Sequence, residues 1–326
     1  MEQFLKNQFI NKYKYLIVIL CVFFIIELLW IIISPIYPPF STPDAITRFT
    51  TIQNYVKGVK TPLIGEPSPL YYFITSNVDK LFIHTRIYSQ FKILEILSAL
   101  FSIITLVFTY LIFKLIFNND EKIAVTGTLI TALLPMFSYI GMAIDMDALL
   151  FAIYTAFIYY SLKLLKNKLN IKDFIILTLL LILGLLTKQN MYINIPIYIG
   201  LILYVLYKNN LIKKYIKYLL ILFIFMIIIA ILLHSGVNTV VIPSIHELFF
   251  KKNNYSLLDY IYTSSAKYFS YKGVVFTSFW GDFGYMNEFL KPTAIYSVIN
   301  IFMYIITFGL VINIFNKIKS KKHKGL

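Results

Sequence analysis

Long uncharged runs, each near the length that crosses a bilayer and most of them bounded by lysines, constrain this chain more than any other feature. A helix rises 1.5 Å per residue, so about 20 apolar residues cross the roughly 30 Å of hydrocarbon. Candidate spans fall at about 14–35, 92–117, 123–142, 147–165, 173–187, 191–207, 218–234 and 294–316. With 59% hydrophobic and 14% charged residues, the apolar side chains outnumber what a soluble core hides. The sequence therefore reads as an all-α integral membrane protein with about eight transmembrane helices, forming a single polytopic domain over residues 1–326.

The net charge of +15 points to topology rather than to nucleic acid, because the lysines cluster at the ends of apolar runs instead of forming one stripe. The first run follows Lys6, Lys12 and Lys14; it is too long for a signal peptide and lacks a small-residue cleavage site, so it reads as a retained helix. Alternating the sides brings Lys114 with Lys122, the lysines from Lys163 to Lys172, those from Lys208 to Lys217, and the tail from Lys317 to Lys324 to the side of the amino terminus. By the positive-inside rule this implies a multi-pass protein of the cell membrane with both termini cytoplasmic. The fifth and sixth spans meet at Lys188, Gln189 and Asn190, either as a hairpin or as one broken helix. Cys21 is the single cysteine, so no intramolecular disulfide forms.

Two long outer segments result, at about 36–91 and 235–293, with short turns at 143–146 and 188–190. Pro35, Pro38, Pro39 and Pro43 end the first helix. Residues 44–57 then read as a short helix capped by Thr42 or Asp44. Residues 69–82 place Leu70, Phe73, Ile74, Val78, Leu81 and Phe82 at helical spacing, with Asp79 and Lys80 off that stripe, which predicts an interfacial amphipathic helix. Glu27 lies inside the first span, where an acid faces a partner or a cavity.

Four segments, in order, resemble the GT-C superfamily of membrane glycosyltransferases, in particular its protein mannosyltransferase and aminoarabinose transferase relatives. They are Pro43-Asp44 before an early helix, EPSPLYYFI at 66–74, AIDMDALL at 143–150, and LGLLTKQN at 183–190. A fifth, SFWGDFGYMNEFLKP at 278–292, is similar to a late outer-loop signature of a related bacterial membrane family of unknown function. The chain departs from its relatives at Ala45 and Arg48, where they carry a second acid and a nearby histidine. It departs again at Pro67-Ser68-Pro69, where they carry His-Pro-Pro.

The resemblance implies a GT-C-like architecture and inverting transfer of a hexosyl or pentosyl group from a polyprenyl-phosphate donor to an extracytoplasmic lipid or glycan acceptor. Asp44 takes the role of general base. Asp147 orients the base or the acceptor, and Lys188, with Arg48, balances the leaving phosphate. Read from residue type alone, Asp44 is a helix-capping acid, Asp147 caps the helix that follows it, and Lys188 snorkels to the headgroups. Arg48 stands one turn after Asp44 and pairs with it or binds phosphate.

Asp145, two residues before Asp147, either joins it in binding sugar hydroxyls or a divalent cation, or is simply solvated. Glu66 is placed to meet the acceptor, while Tyr71 and Tyr72 either stack on substrate or join the interfacial aromatic belt. Trp280 and Asp282, beside Gly281 and Gly284, suit a lid over the site or an ordinary interfacial turn. No cofactor is firmly implied beyond that candidate divalent cation, and no nucleic acid. The rival readings are a membrane transporter or lipid flippase, and a non-catalytic GT-C-like assembly partner.

Overall fold

The first apolar run forms a single long helix, α1 (Glu2–Ile33), interrupted only at Tyr13, where φ of −117° and ψ of 16° separate a lysine-bearing segment from the span proper. The computed structural model describes residues 2–34, 44–59, 68–166, 170–209, 276–283, 288–289, 292 and 294–323. They fall in two units, Met1–Asn254 and Tyr255–Leu326. α1 is apolar all round yet buries one stripe, Leu16, Ile19, Phe23, Glu27 and Ile31, at the three-to-four-residue period of a helix. Val18, Val22, Ile25, Leu29 and Ile33 point outward. Such a face is stable only where hydrocarbon replaces water.

In the first unit, α2 (Ala45–Val56) and α3 (Pro69–Leu81) precede α4 (Ile87–Ile116). The chain continues through α5 (Glu121–Ala132), α6 (Pro135–Gly141), α7 (Met146–Lys166) and α8 (Ile171–Leu185). A 3-10 turn (Gln189–Ile193) leads into α9 (Asn194–Lys208). α4 is the central helix, packing against α1, α3, α5, α6 and α7. Its buried residues include Ser98, Ser102 and Thr105, small hydroxyl residues that let neighbouring backbones come close inside a membrane.

Among the described residues five helices are long and apolar enough to cross a membrane: Tyr13–Ile33, Ile87–Ile116, Met146–Lys166, Gln189–Lys208 and, in the second unit, Ala294–Asn313. The span expected at 123–142 is instead a bent pair, α5 and α6, crossing at 67°. Pro135 opens α6 and forces Leu134 into extended backbone at ψ 118°, which stops α5. α8, expected as a span over 173–187, has 15 residues and rises only about 22 Å. The expected span at 218–234 lies outside the described residues.

α8 and α9 form a hairpin, not one broken helix. The Thr178 hydroxyl meets the Tyr198 hydroxyl at 2.6 Å, Phe174 packs on the Tyr198 ring, and Leu164, Phe174 and Leu206 share one small cavity. Lys114, Lys163, Lys166 and Lys208 gather at one end of this unit. Lys114 pairs with Glu121 at 2.6 Å and Lys163 with Asp173 at 2.7 Å. Lys166 donates to the Leu115 carbonyl at 2.6 Å, and Lys208 to the Leu165 carbonyl at 2.9 Å. These cations cap helix carboxyl ends, where unpaired carbonyls gather negative charge. Tyr13 against Tyr110 brings the start of the first span to this same end.

In the second unit α10 (Phe276–Gly281) leads into a two-residue antiparallel ladder of β1 (Asp282–Phe283) and β2 (Glu288–Phe289), with Asp282 opposite Phe289. α11 (Ala294–His323) follows, and the Tyr296 hydroxyl donates to the Gly281 carbonyl at 2.5 Å.

Candidate active site

At the opposite end of the first unit from these lysines, three segments meet through charged side chains. α2 buries Ala45, Phe49 and Ile52, with Phe49 on the Phe91 ring of α4 at 5.2 Å. That docking aims the adjacent Arg48 at the start of α7. Its Nη1 lies 2.5 Å from Asp145 Oδ2 and its Nη2 lies 3.2 Å from Asp44 Oδ2. Lys188, at the turn between α8 and the 3-10 segment, places Nζ 2.9 Å from Asp147 Oδ1. A continuous chain Asp44, Arg48, Asp145, Asp147, Lys188 results, its Asp145–Asp147 link a 2.9 Å hydrogen bond from the Asp147 amide to Asp145 Oδ1.

Two capping expectations are corrected by this geometry. Asp145, not Asp147, caps α7, because only the residue just ahead of the helix can turn its carboxylate back onto the first free amides. Asp44 occupies the N-cap position of α2 without a side-chain capping bond; its carboxylate is drawn to Arg48 instead.

Accessibility divides the five groups. Asp145 is buried, its side chain 8% exposed, and Arg48 and Lys188 are nearly so at 11% each, while Asp44 is 69% exposed. Asp147 falls between, at 27%. Burial pushes the Asp145 carboxyl above the usual aspartate range and the like charge of Asp147 adds to this, while Arg48 opposes both. Burial also works against the charge on Arg48, but the carboxylates of Asp145 and Asp44 outweigh it and hold the guanidinium above its ordinary value. Burial, helped by Asp145, raises Tyr71 well above the phenol range.

Tyr71 is 1% exposed, its hydroxyl has no hydrogen-bond partner among the described residues, and Tyr72 stacks on Tyr55 at 5.5 Å. Neither ring sits in an outward aromatic belt. The buried face of α3 is Tyr71, Tyr72, Thr75, Ser76 and Asp79, whereas Phe73 and Leu81 of the expected apolar stripe point outward. Asp79, assigned to the open face by periodicity, is buried because it accepts from Gln53 Nε2 at 2.6 Å. The same amide donates to Gln90 at 2.8 Å, and Gln90 Nε2 donates to the carbonyls of Phe82, Ile83 and Thr85.

This network holds α2 on α3 and α4, and sequence reasoning missed it. The available signal was the run of polar or aromatic hydroxyl residues at 71, 72, 75 and 76, in register with Asp79. A second clip was also missed: the Ser68 hydroxyl donates to the Thr187 carbonyl, and the Leu70 amide to the Leu186 carbonyl at 3.0 Å. It fastens α3 to the turn that carries Lys188.

Glu66 and the side chain of Asp282 lie outside the described residues. Trp280 is half-exposed on α10 of the second unit. Among the described residues no group of three or more His, Cys, Asp or Glu side chains is arranged to hold a metal ion.

Apolar helices long enough to span, with an ionic cluster at one end, define a multi-pass membrane protein with a polar site at the bilayer edge. Residues 66–234, more than half the chain, match the sequence model of the dolichyl-phosphate-mannose-protein mannosyltransferase family. The chain belongs to that family of GT-C membrane glycosyltransferases. The matched region holds Tyr71, Asp145, Asp147 and Lys188; Asp44 and Arg48 lie just ahead of it. No curated protein and no solved structure matches the chain.

Proposed function

We propose that this chain, working as one membrane domain, moves a sugar from a polyprenyl-phosphate donor to a lipid or glycan acceptor, with inversion at the anomeric carbon. The reading rests chiefly on one observation. Arg48 reaches Asp44 and Asp145 together while Lys188 holds Asp147, so three carboxylates and two cations from separate outer segments share one end of the bundle.

In this reading Asp44, the most accessible of the acids, removes the proton from the acceptor hydroxyl. The hydroxyl oxygen attacks the anomeric carbon from the face opposite the phosphate, and the bond from that carbon to the phosphate oxygen breaks. The departing phosphate takes the electron pair, and Lys188 and Arg48 balance its charge. Asp147 orients the acceptor, and Tyr71 and Asp145 shape the wall behind it. The positive-inside rule puts the lysine-rich end in the cytoplasm and this site on the extracytoplasmic side.

The deciding experiment is Asp44→Asn, assayed for sugar transfer from lipid-linked donor in detergent extract. Loss of transfer with unchanged yield and melting of the folded chain supports the mechanism; unchanged transfer removes it. Glu27, Lys92 and Glu95, buried within the spans, favour transport as a second reading, since intramembrane charges commonly line translocation paths. Lipid or solute flux in proteoliposomes without sugar transfer would select that reading.

A further inference from the structure

Among the described residues the site holds three carboxylates and two cations, so an entering phosphate competes with an acid for its cation. The structure singles out which acid can leave. Both oxygens of Asp145 are engaged, Oδ2 by Arg48 and Oδ1 by the Asp147 amide. Asp44 pairs with Arg48, which remains bound to Asp145 whether or not Asp44 turns away. Asp147 is different: only its side chain has to rotate, it is 27% exposed, and its backbone is already held by Asp145.

Lys188 cannot follow it. The Thr187 and Lys188 amides both donate to the Gly184 carbonyl, at 2.9 and 3.0 Å. The Leu186 and Thr187 carbonyls are taken by Leu70 and Ser68 of α3. The lysine is therefore presented from a backbone turn anchored on both sides, and its ammonium stays within reach of an anion that takes the place of Asp147.

We propose that the Asp147 carboxylate occupies the seat of the donor phosphate on Lys188, and that a lipid phosphate binds by exchanging with it. The inference rests on the reading above for the identity of the phosphate. Exchange leaves Asp147 Oδ1 open to accept a hydrogen bond from the acceptor hydroxyl.

The test is binding of decyl phosphate, with inorganic phosphate and decanol as companion probes, to the full chain in detergent. Asp147→Asn removes the competing charge and is expected to tighten decyl phosphate roughly three- to tenfold at low salt. Asp147→Glu keeps the charge and stays within about twofold of the unaltered chain. Lys188→Gln weakens binding roughly tenfold or more, and adding Asp147→Asn to it brings no gain, since the seat is gone.

An Asp147→Asn chain that binds no tighter overturns the exchange, as does a gain that persists without Lys188 or that decanol shows equally. A gain with inorganic phosphate as well supports a seat for phosphate from either source; a gain with decyl phosphate alone supports the lipid source. Asp147→Ser serves as the neutral variant if Asp147→Asn does not fold. No turnover is measured, so the two claims fail separately. Exchange without sugar transfer removes only the activity proposed above, and transfer with unaltered phosphate binding in Asp147→Asn removes only the exchange.

Discussion

Arg48 and Asp145 stand 97 positions apart in the chain, and their side chains meet at 2.5 Å where α2 lies against the start of α7. This contact joins α2 to the helical bundle, and it brings Asp44 along because Arg48 holds both acids.

Breaking that link from one side leaves a largely buried guanidinium with, among the described residues, only the exposed Asp44 as its acid partner. Asp145→Ala is expected to cost about 2–4 kcal/mol, combining the uncompensated charge with loss of the α7 cap. Arg48→Met with Asp145→Leu should recover most of that loss in folding while abolishing transfer. Thermal melting in detergent, read beside the transfer assay, checks both outcomes.

The raised proton affinity of Asp145 has a defined sign. Its folded-state value lies above the ordinary 3.8, so between the two the folded chain holds a proton that the unfolded chain has released. The contribution of this group to stability is complete below the ordinary value and is lost as pH rises through the folded one. The melting temperature of the natural chain, taken relative to Asp145→Asn, should therefore rise on acidification from neutral pH towards that window. A flat or falling difference contradicts the assignment.

Gly184 supports the Lys188 turn by close approach. A Cβ there would lie 2.6 Å from Met191 Cγ and 2.9 Å from its Sδ, and Met191 is itself buried. Gly184→Ala is expected to destabilise by about 1–3 kcal/mol and to weaken phosphate binding through displacement of the 3-10 turn. Combination with Met191→Ala should cost less than the sum of the two single changes, which a double-mutant cycle on melting would show.

Inside the membrane, Gly141 is the corresponding contact between α6 and α4. An added Cβ would fall 2.7 Å from Ser102 Oγ and 3.5 Å from Glu27 Oε2. Gly141→Ala should destabilise by about 1–3 kcal/mol, and Ser102→Ala in the same chain should restore much of it by removing the nearest atom. Glu27 is fully buried, with the Ser138 hydroxyl beside its carboxyl group. Glu27→Gln should accordingly lie within about 1 kcal/mol of the natural chain, and Glu27→Lys should prevent folding.

Periodicity and charge asymmetry made the membrane class legible, because crossing hydrocarbon demands uninterrupted apolar helix and the lysines mark helix ends. They were weaker at α5–α6, where total apolarity concealed the stop that Pro135 imposes on the preceding residue. On α3, a helix between lipid and protein has apolar demands on both sides, so the stripe through Phe73 and Leu81 did not identify the face turned to the protein. Asp79 was misassigned for that reason: its burial depends on Gln53 from another helix.

By itself, the sequence determined that the chain lies in a bilayer, that most of its lysines cluster at the ends of apolar runs, and that Asp44, Arg48, Asp145, Asp147 and Lys188 fall in the segments between other runs. Tertiary structure alone decided who pairs with whom. Arg48 selects Asp145 because Phe49 docks on Phe91, and Lys188 selects Asp147 because α3 clips its turn beside α7. Local patterns report the solvent each residue meets. Ion pairs across 97 and 41 positions depend on how separate helices pack, and no local pattern encodes that packing.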